Sequence, residues 1–407
     1  MMKILFTHKQ ILFPHDTGGK IRVLNLLRHL ARWHEIVYLC NLRPGDEAYL
    51  PQMAALGLRV EGVPKQDSRR RSARYYGEAV VNLFSPQPFT VARNFDPALK
   101  ARAAALVGTG AFNLMICDGV QMTPHFVDLP VPKILFQHNA EARLLERHAQ
   151  HDPTWLRRRY MAAQHSKMCR FEADYGARFD AVIAVSELDR QAFERDYSWR
   201  QVRAIDTAVD LDYFQPAGRP EQADRVVFVG SMDWLPNQDG VRFFLEEVWP
   251  RIRARRPTAT FQVVGRDPPA KLCRFSGSDG IEIAGSVPDV RPYLEEAAVV
   301  VVPILVGGGT RLKIYEAMAM GKAVVSTTIG AEGLVYTPGQ HLLVADEPAA
   351  FAEAVVSLLK APPFRRHLGA AARRLVNECF SAETVARQFE SICRDTLHRL
   401  NGRAVSV

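Results

Sequence analysis

The chain has 407 residues, 47% of them hydrophobic and 24% charged, which is the balance of a globular protein with room for two domains of ordinary size. Its 52 Lys and Arg against 44 Asp and Glu give a formal charge of +8, a moderate excess that suits an anionic ligand or an acidic membrane surface. That excess is too mild, with no motif beside it, to point to nucleic acid. No stretch reaches the ~18 apolar residues of a spanning helix, so any membrane contact is expected to be peripheral. The apolar run at the N-terminus is too short for a signal peptide. Cys40, Cys117, Cys169, Cys273, Cys379 and Cys393 are scattered without a CxxC pair, so neither a zinc knuckle nor a compact disulfide framework is expected, and a reducing cytoplasm is the simplest compartment.

In chain order, residues 3–7 (KILFT) read as a short strand, residues 16–20 (DTGGK) as a glycine loop, and Ile21, Leu24, Leu27 and Leu30 as the apolar face of a helix. Residues 35–40, 114–117, 133–136 and 181–185 are further buried-type strands alternating with helical stretches, a pattern that predicts a parallel sheet covered on both faces. Residues 206–224 are rich in proline, glycine and acid and mark the join between two domains, 1–205 and 225–377. The second half repeats the plan, with strands at 225–229, 258–264, 281–284, 299–302 and 323–326. A helix at 236–256 is bracketed by Pro236 and Pro257, and two more helices lie at about 364–377 and 381–400. Neither half carries GxGxxG after its first strand, which argues against a dinucleotide oxidoreductase.

The most informative stretch is 307–321, GGGTRLKIYEAMAMG. Gly307, Gly308, Gly309 and Thr310 lead from an apolar strand into a helix, which makes an anion site of close backbone N–H groups and a helix N-terminus. Arg311 and Lys313 oppose the helix dipole, and a bound pyrophosphate would explain them. Glu316 is placed to accept hydrogen bonds from a ribose diol.

These residues resemble the GT-B family of retaining nucleotide-sugar glycosyltransferases, the sucrose-synthase-like group. The resemblance runs over nearly the whole chain: DTGG in the first loop, WHEIV at 33–37, AVS at 184–186, VDLDYFQP at 209–216, VGSMDW at 229–234 and, most specifically, EAMAMGKAVVS at 316–326. It implies an α/β fold of two facing Rossmann-like domains with parallel sheets and an inter-domain cleft, with helix 381–400 crossing back onto the first domain. Where the family commonly has a glutamate, eight residues before Glu316, this chain has Gly308. Where many relatives have a phosphate-binding Arg and Lys, it has Ser231, Asp233, Asn237 and Gln238. The GGGTRLK variant resembles a subgroup tied to bacterial exopolysaccharide assembly.

The resemblance implies a cytoplasmic hexosyltransferase. It would move a sugar from a nucleotide diphosphate donor to a carbohydrate or lipid-linked glycan, with retention at the anomeric carbon. No trustworthy DxD pair is present, so no metal and no other cofactor is expected. Arg311, Lys313 and the loop amides would clamp the leaving diphosphate, with Gly230, Ser231, Gly265 and Arg266 bordering the donor and the loop at Val287 reading the base. His138, after the strand 133–136, would contact the donor sugar, and Glu141 would sit near the acceptor. Gly18 and Gly19 would approach phosphate or acceptor, with Lys20 and Arg22 adding positive field. Basic stretches at 65–74 and 157–170, beside aromatic residues, would suit anionic lipid headgroups or a lipid-linked pyrophosphate. Two competing readings are a nucleotide-sugar 2-epimerase of the same fold and a non-catalytic nucleotide- or glycan-binding subunit.

Overall fold

Strands whose side chains are apolar on both faces can be buried only in the middle of a sheet under helices, and both halves of the chain meet that demand. The computed structural model describes residues 1–14, 17–66, 72–151, 154–306 and 312–404. It divides into two units, Met1–Asp206 with Val385–Val407, and Thr207–Thr384.

The first unit holds β1 (Lys3–His8), β2 (Glu35–Leu42), β3 (Leu58–Pro64), β4 (Leu114–Asp118), β5 (Lys133–Gln137), β6 (Ala181–Ala184) and β7 (Val202–Ala204) in the order β3-β2-β1-β4-β5-β6-β7. Every pairing is parallel. The strand order reverses between β1 and β4, so the crossovers diverge there and leave the carboxyl ends of those two strands open. The C-terminal helix, Ala382–Ala404, lies largely in this unit. There Phe389 meets Phe136 edge-on at 5.3 Å, Arg387 stacks 3.5 Å over Trp33, and Glu390 lies 3.1 Å from His34 Nε2.

The second unit holds β8 (Arg225–Val229), β9 (Thr260–Val264), β10 (Ile281–Gly285), β11 (Val299–Val302), β12 (Ala323–Ser326) and β13 (Leu343–Val344), ordered β10-β9-β8-β11-β12-β13 and again all parallel. Its order reverses between β8 and β11. An aromatic cluster fills the core, with Phe244 4.5 Å from Phe261 and 5.8 Å from Phe351. The buried Glu295 accepts from the backbone N–H groups of Gly218 and Arg219 at 2.5 and 2.9 Å, which pins the proline- and glycine-rich segment to this unit. Two parallel sheets with flanking helices make these the Rossmann-like units of a GT-B fold.

Local differences from the sequence expectations have physical causes. The helix expected at 236–256 is three consecutive pieces, Leu235–Phe243, a π-helical turn Phe244–Val248, and Trp249–Arg255. Pro250 cannot donate to the carbonyl four residues back, and a π turn absorbs such a mismatch. Gly18 and Gly19 are not loop residues but the first turn of the helix Gly18–Trp33. No described helix is long and apolar enough to cross a membrane.

One buried histidine ties stability to pH. His125 is fully buried. Its Nδ1–H donates to the Met122 carbonyl at 2.9 Å, and its Nε2 accepts from the Asp96 backbone N–H at 2.8 Å. Burial lowers its pKa from the ordinary 6.5 to about 4. The fold therefore favours the neutral ring: the contribution is complete above pH 6.5 and is lost as pH falls toward 4. We expect this group alone to withdraw about 3 kcal/mol across that window. Urea titrations of the protein and of His125→Asn should show a shallower acid slope in the variant.

Candidate functional site

In the first unit the reversal between β1 and β4 gathers polar side chains at the strand ends. β1 ends in His8, β4 in Asp118, and β5 leads into His138. Asp118 is buried between the two histidines, with Oδ2 3.1 Å from His8 Nε2 and Oδ1 in a short contact with His138 Nε2. Burial pushes the Asp118 carboxyl up, but His138 and His8 outweigh it and the net shift is downward, so the group is ionised. The Nη1 of Arg22 lies 3.1 Å from His138 Nδ1. A guanidinium only donates and a carboxylate only accepts, so the two contacts match a ring that accepts at Nδ1 and donates from Nε2. Its ring also leans on Phe136, with centroids 4.5 Å apart. Arg22 is itself desolvated, and burial lowers its pKa to about 10 against the pull of Asp189 and Asp118.

These groups border a groove of about 920 Å³ within the first unit. Gly19, Lys20, His138 and Glu141 all line it, together with Lys9, Arg43 and Arg93, so four Lys or Arg face two carboxylates, Asp118 and Glu141. That balance favours an anionic ligand. Gly18 sits beside Gly19 in the first helical turn, and a Cβ at either would meet open space. Lys20 Nζ donates to the Pro14 carbonyl at 3.0 Å. Burial raises the Glu141 carboxyl above its ordinary value, against hydrogen bonds from Gln121 and Asn139. The helix that Glu141 starts, Glu141–His151, is capped from elsewhere in the chain. The fully buried Glu172 accepts from the N–H groups of Glu141 and Ala142 at 3.0 and 3.1 Å and from the Tyr197 hydroxyl at 2.6 Å. Burial lifts Glu172 to about 7.

In the second unit the reversal lies between β8 and β11. The chain leaves β8 through Gly230, and a Cβ at Gly265 would collide with the Gly230 carbonyl, so both strand ends depend on glycine. Arg266 donates from Nε to Ser231 Oγ at 2.9 Å and from Nη2 to Asp233 Oδ2 at 3.0 Å, while Ser231 Oγ donates to Asp233 Oδ1 at 2.7 Å. Asn237 donates to the Ser231 carbonyl at 2.6 Å and accepts from Lys313 Nζ at 2.8 Å. The Lys313 ammonium also stands 4.5 Å over the Phe228 ring, a cation–π contact. Gly230, Ser231, Gly265, Arg266 and Lys313 thus meet at one edge through Asn237 and Asp233. Val287, half-buried just after β10, packs on the core of this unit. Glu316 follows Lys313 by three residues on the helix Leu312–Ala319, so the two share a face. Its carboxyl is ringed by protein atoms, and desolvation raises it to about 7 while Lys313 pulls it down. Gly307, Gly308, Gly309, Thr310 and Arg311 lie outside the described residues. Among the described residues no group of three or more His, Cys, Asp or Glu is placed to hold a metal.

His8, Asp118, Glu172 and the bridging role of Asn237 were not legible as site or supporting residues. Each acts through a partner at least 20 positions away, and no local motif marks such pairs.

Residues 223–361 match the family model described as glycosyl transferases group 1. An uncharacterized 44.6 kDa protein in the cps region of Klebsiella pneumoniae is 24% identical over 42% of this chain and 45% of its own length. The phosphatidyl-myo-inositol mannosyltransferase of Mycobacterium leprae is 27% identical over 52% of this chain and 59% of its own. The chain thus spans about half the length of these curated relatives. The crystal structure of Anabaena HepE in complex with UDP superposes with a TM-score of 0.69 at 14% identity, covering 97% of this chain and all of that one, which shows the fold.

Removing one member of a buried ionic cluster leaves the others uncompensated. Asp118→Ala should therefore cost ~3–5 kcal/mol in a urea titration. Asp118→Asn should recover part of that, because its amide oxygen still accepts from His138.

Proposed function

We infer that the chain, a GT-B-fold member of the nucleotide-sugar glycosyltransferases, moves a hexosyl unit from a nucleotide diphosphate sugar to a glycan or lipid-linked acceptor, with retention at the anomeric carbon. The observation that carries the reading is the Lys313 ammonium, tethered by Asn237 at the open end of β8, with the Glu316 carboxyl on the same helix face. A fixed cation suits the departing diphosphate, and a carboxylate suits the ribose diol.

In transfer, the bond from C1 to the diphosphate oxygen breaks as the bond from C1 to the acceptor oxygen forms. The acceptor proton passes to a donor phosphate oxygen on the same face. Arg311 and the amides of Gly307 to Thr310 join the clamp on sequence grounds. Gly230, Ser231, Gly265 and Arg266 border the donor, and Val287 lies toward the base. Gly18 and Gly19 approach phosphate or acceptor. No divalent ion is required on this reading, because Lys313 and Arg311 supply the positive charge.

His138 contributes by position. Both of its ring nitrogens are engaged, so it presents a fixed ring and backbone to the donor sugar and does not shuttle a proton. The UDP named with HepE supports a nucleoside diphosphate ligand. The cps-region relative supports a setting in exopolysaccharide or cell-envelope assembly, and the mannosyltransferase relative supports a lipid-linked acceptor.

Thermal-shift titration with UDP, GDP and their sugars, in EDTA, tests the donor site, since a ligand of the folded state raises stability by mass action. Absence of any shift would overturn the reading. Conversion of the donor without an acceptor would assign a 2-epimerase instead, and binding without turnover a non-catalytic subunit. Lys313→Ala should lower turnover by at least ~10²-fold, and His138→Ala should lower transfer while leaving nucleotide affinity nearly intact. The ribose diol donates to ionised Glu316, so nucleotide affinity should rise as pH climbs through about 7 and level off above it. Calorimetry on Glu316→Gln should give a flat profile.

A further inference from the structure

Large apolar side chains standing singly in water need no explanation, but one face of the first unit carries several together. On the helix Ala73–Asn82 and the residues just after it, Val81 is 72% exposed and Phe84 89%, with Tyr76 and Val80 also more than half exposed. At the start of the helix Trp155–Gly176, Trp155 is 59% and Leu156 61% exposed. The end of the first helix meets the second at Gln164 and Lys167, about two to three turns beyond Trp155. Gln164 Nε2 donates to Asn82 Oδ1 at 3.0 Å, Lys167 Nζ donates to the Asn82 and Leu83 carbonyls at 2.6 and 3.1 Å, and Gln164 also accepts from the Phe89 backbone N–H at 2.8 Å. The exposed side chains therefore belong to adjoining elements of the first unit.

The charge beside them is mainly basic. Residues 154–170 contain Arg157, Arg158, Arg159, Lys167 and Arg170 and no carboxylate. On the other helix Glu78 is paired with Arg74 at 3.0 Å, so it neutralises its own neighbour. A mainly basic rim around apolar tips opposes a second copy of the same face by like-charge repulsion and complements an anionic one. Aromatic and aliphatic tips above a basic rim fit the headgroup boundary of an anionic bilayer, and no described helix is built to cross one.

We propose that this face, formed by the helix Ala73–Asn82 with Phe84 and by the first turns of the helix Trp155–Gly176, docks the protein peripherally on an anionic lipid surface. The docking stands apart from the donor chemistry and fails separately from it. Tyr75, on the docking helix, and Phe89 line the first-unit groove, so docking would bring that groove near lipid headgroups.

Vesicle flotation tests it, comparing phosphatidylcholine alone with phosphatidylcholine containing about a third phosphatidylglycerol. The unmodified protein should float with the anionic vesicles and remain with the protein fraction for the neutral ones, and added salt should release it. A Val81→Ser, Phe84→Ser double variant and an Arg157→Gln, Arg158→Gln, Arg159→Gln triple variant should each lose binding by ~10-fold or more. All five side chains are exposed, and an unchanged thermal transition establishes that the variants fold. Equal flotation with both vesicle types, no flotation, or undiminished flotation of either variant would overturn the proposal. A dimer seen by sedimentation without vesicles and lost in the double variant would overturn it in favour of a second copy of the chain.

Discussion

Strands buried on both faces have nowhere along their length to put a polar group. β4, β6, β11 and β12 are buried at every position, so hydrogen-bonding and charged side chains must collect where the strands end. Crossover helices close most of those ends. They diverge at one place in each sheet, between β1 and β4 and between β8 and β11, and there the carboxyl ends stay open. The position of both candidate sites follows from this single constraint of strand order. His8 and Asp118 fall at the first opening, and Gly230 and the segment after Val302 at the second.

The two openings are furnished differently, and the difference is energetic. The first holds a buried carboxylate between two histidines, with a desolvated guanidinium behind it. Such a cluster gains little net stability over an apolar core, but it is costly to break, so it fixes one arrangement of its members. The second is built by exclusion of side-chain volume. A Cβ at Gly265 would strike the Gly230 carbonyl, and one at Gly240 the Pro303 carbonyl, so backbone approaches backbone closely around the Lys313 ammonium. Close main chain with a tethered cation is the arrangement that a diphosphate would need.

The alternation of strand and helix announced the α/β class, because period and apolar runs are local properties of the chain. The expectation of an anion site at the glycine run and the cations at 311 and 313 rests on the same kind of local pattern. What local pattern could not carry was pairing across the sheet. Nothing near position 118 says that its carboxylate lies between residues 8 and 138, and Glu172 looks like any helix carboxylate until its partners at 141, 142 and 197 are known. The glycines at 18 and 19 misled in the opposite sense. They read as a loop because glycine is costly in helices, but in a first helical turn the N–H groups have no intrahelical partner in any case, and the cost is small.

His138 shows how a second contact changes the meaning of a residue. A histidine at a strand end invites an acid–base reading, since its ordinary pKa lies near neutrality. Here Arg22 occupies the lone pair of Nδ1 and Asp118 takes the proton of Nε2, so a second proton would have to face a guanidinium. Proton exchange at either nitrogen would require one of those contacts to open, at the expense of a buried charge losing its partner. The same two contacts that withdraw the ring from proton transfer hold it, and the backbone behind it, in one orientation. What is gained is a rigid wall along the groove.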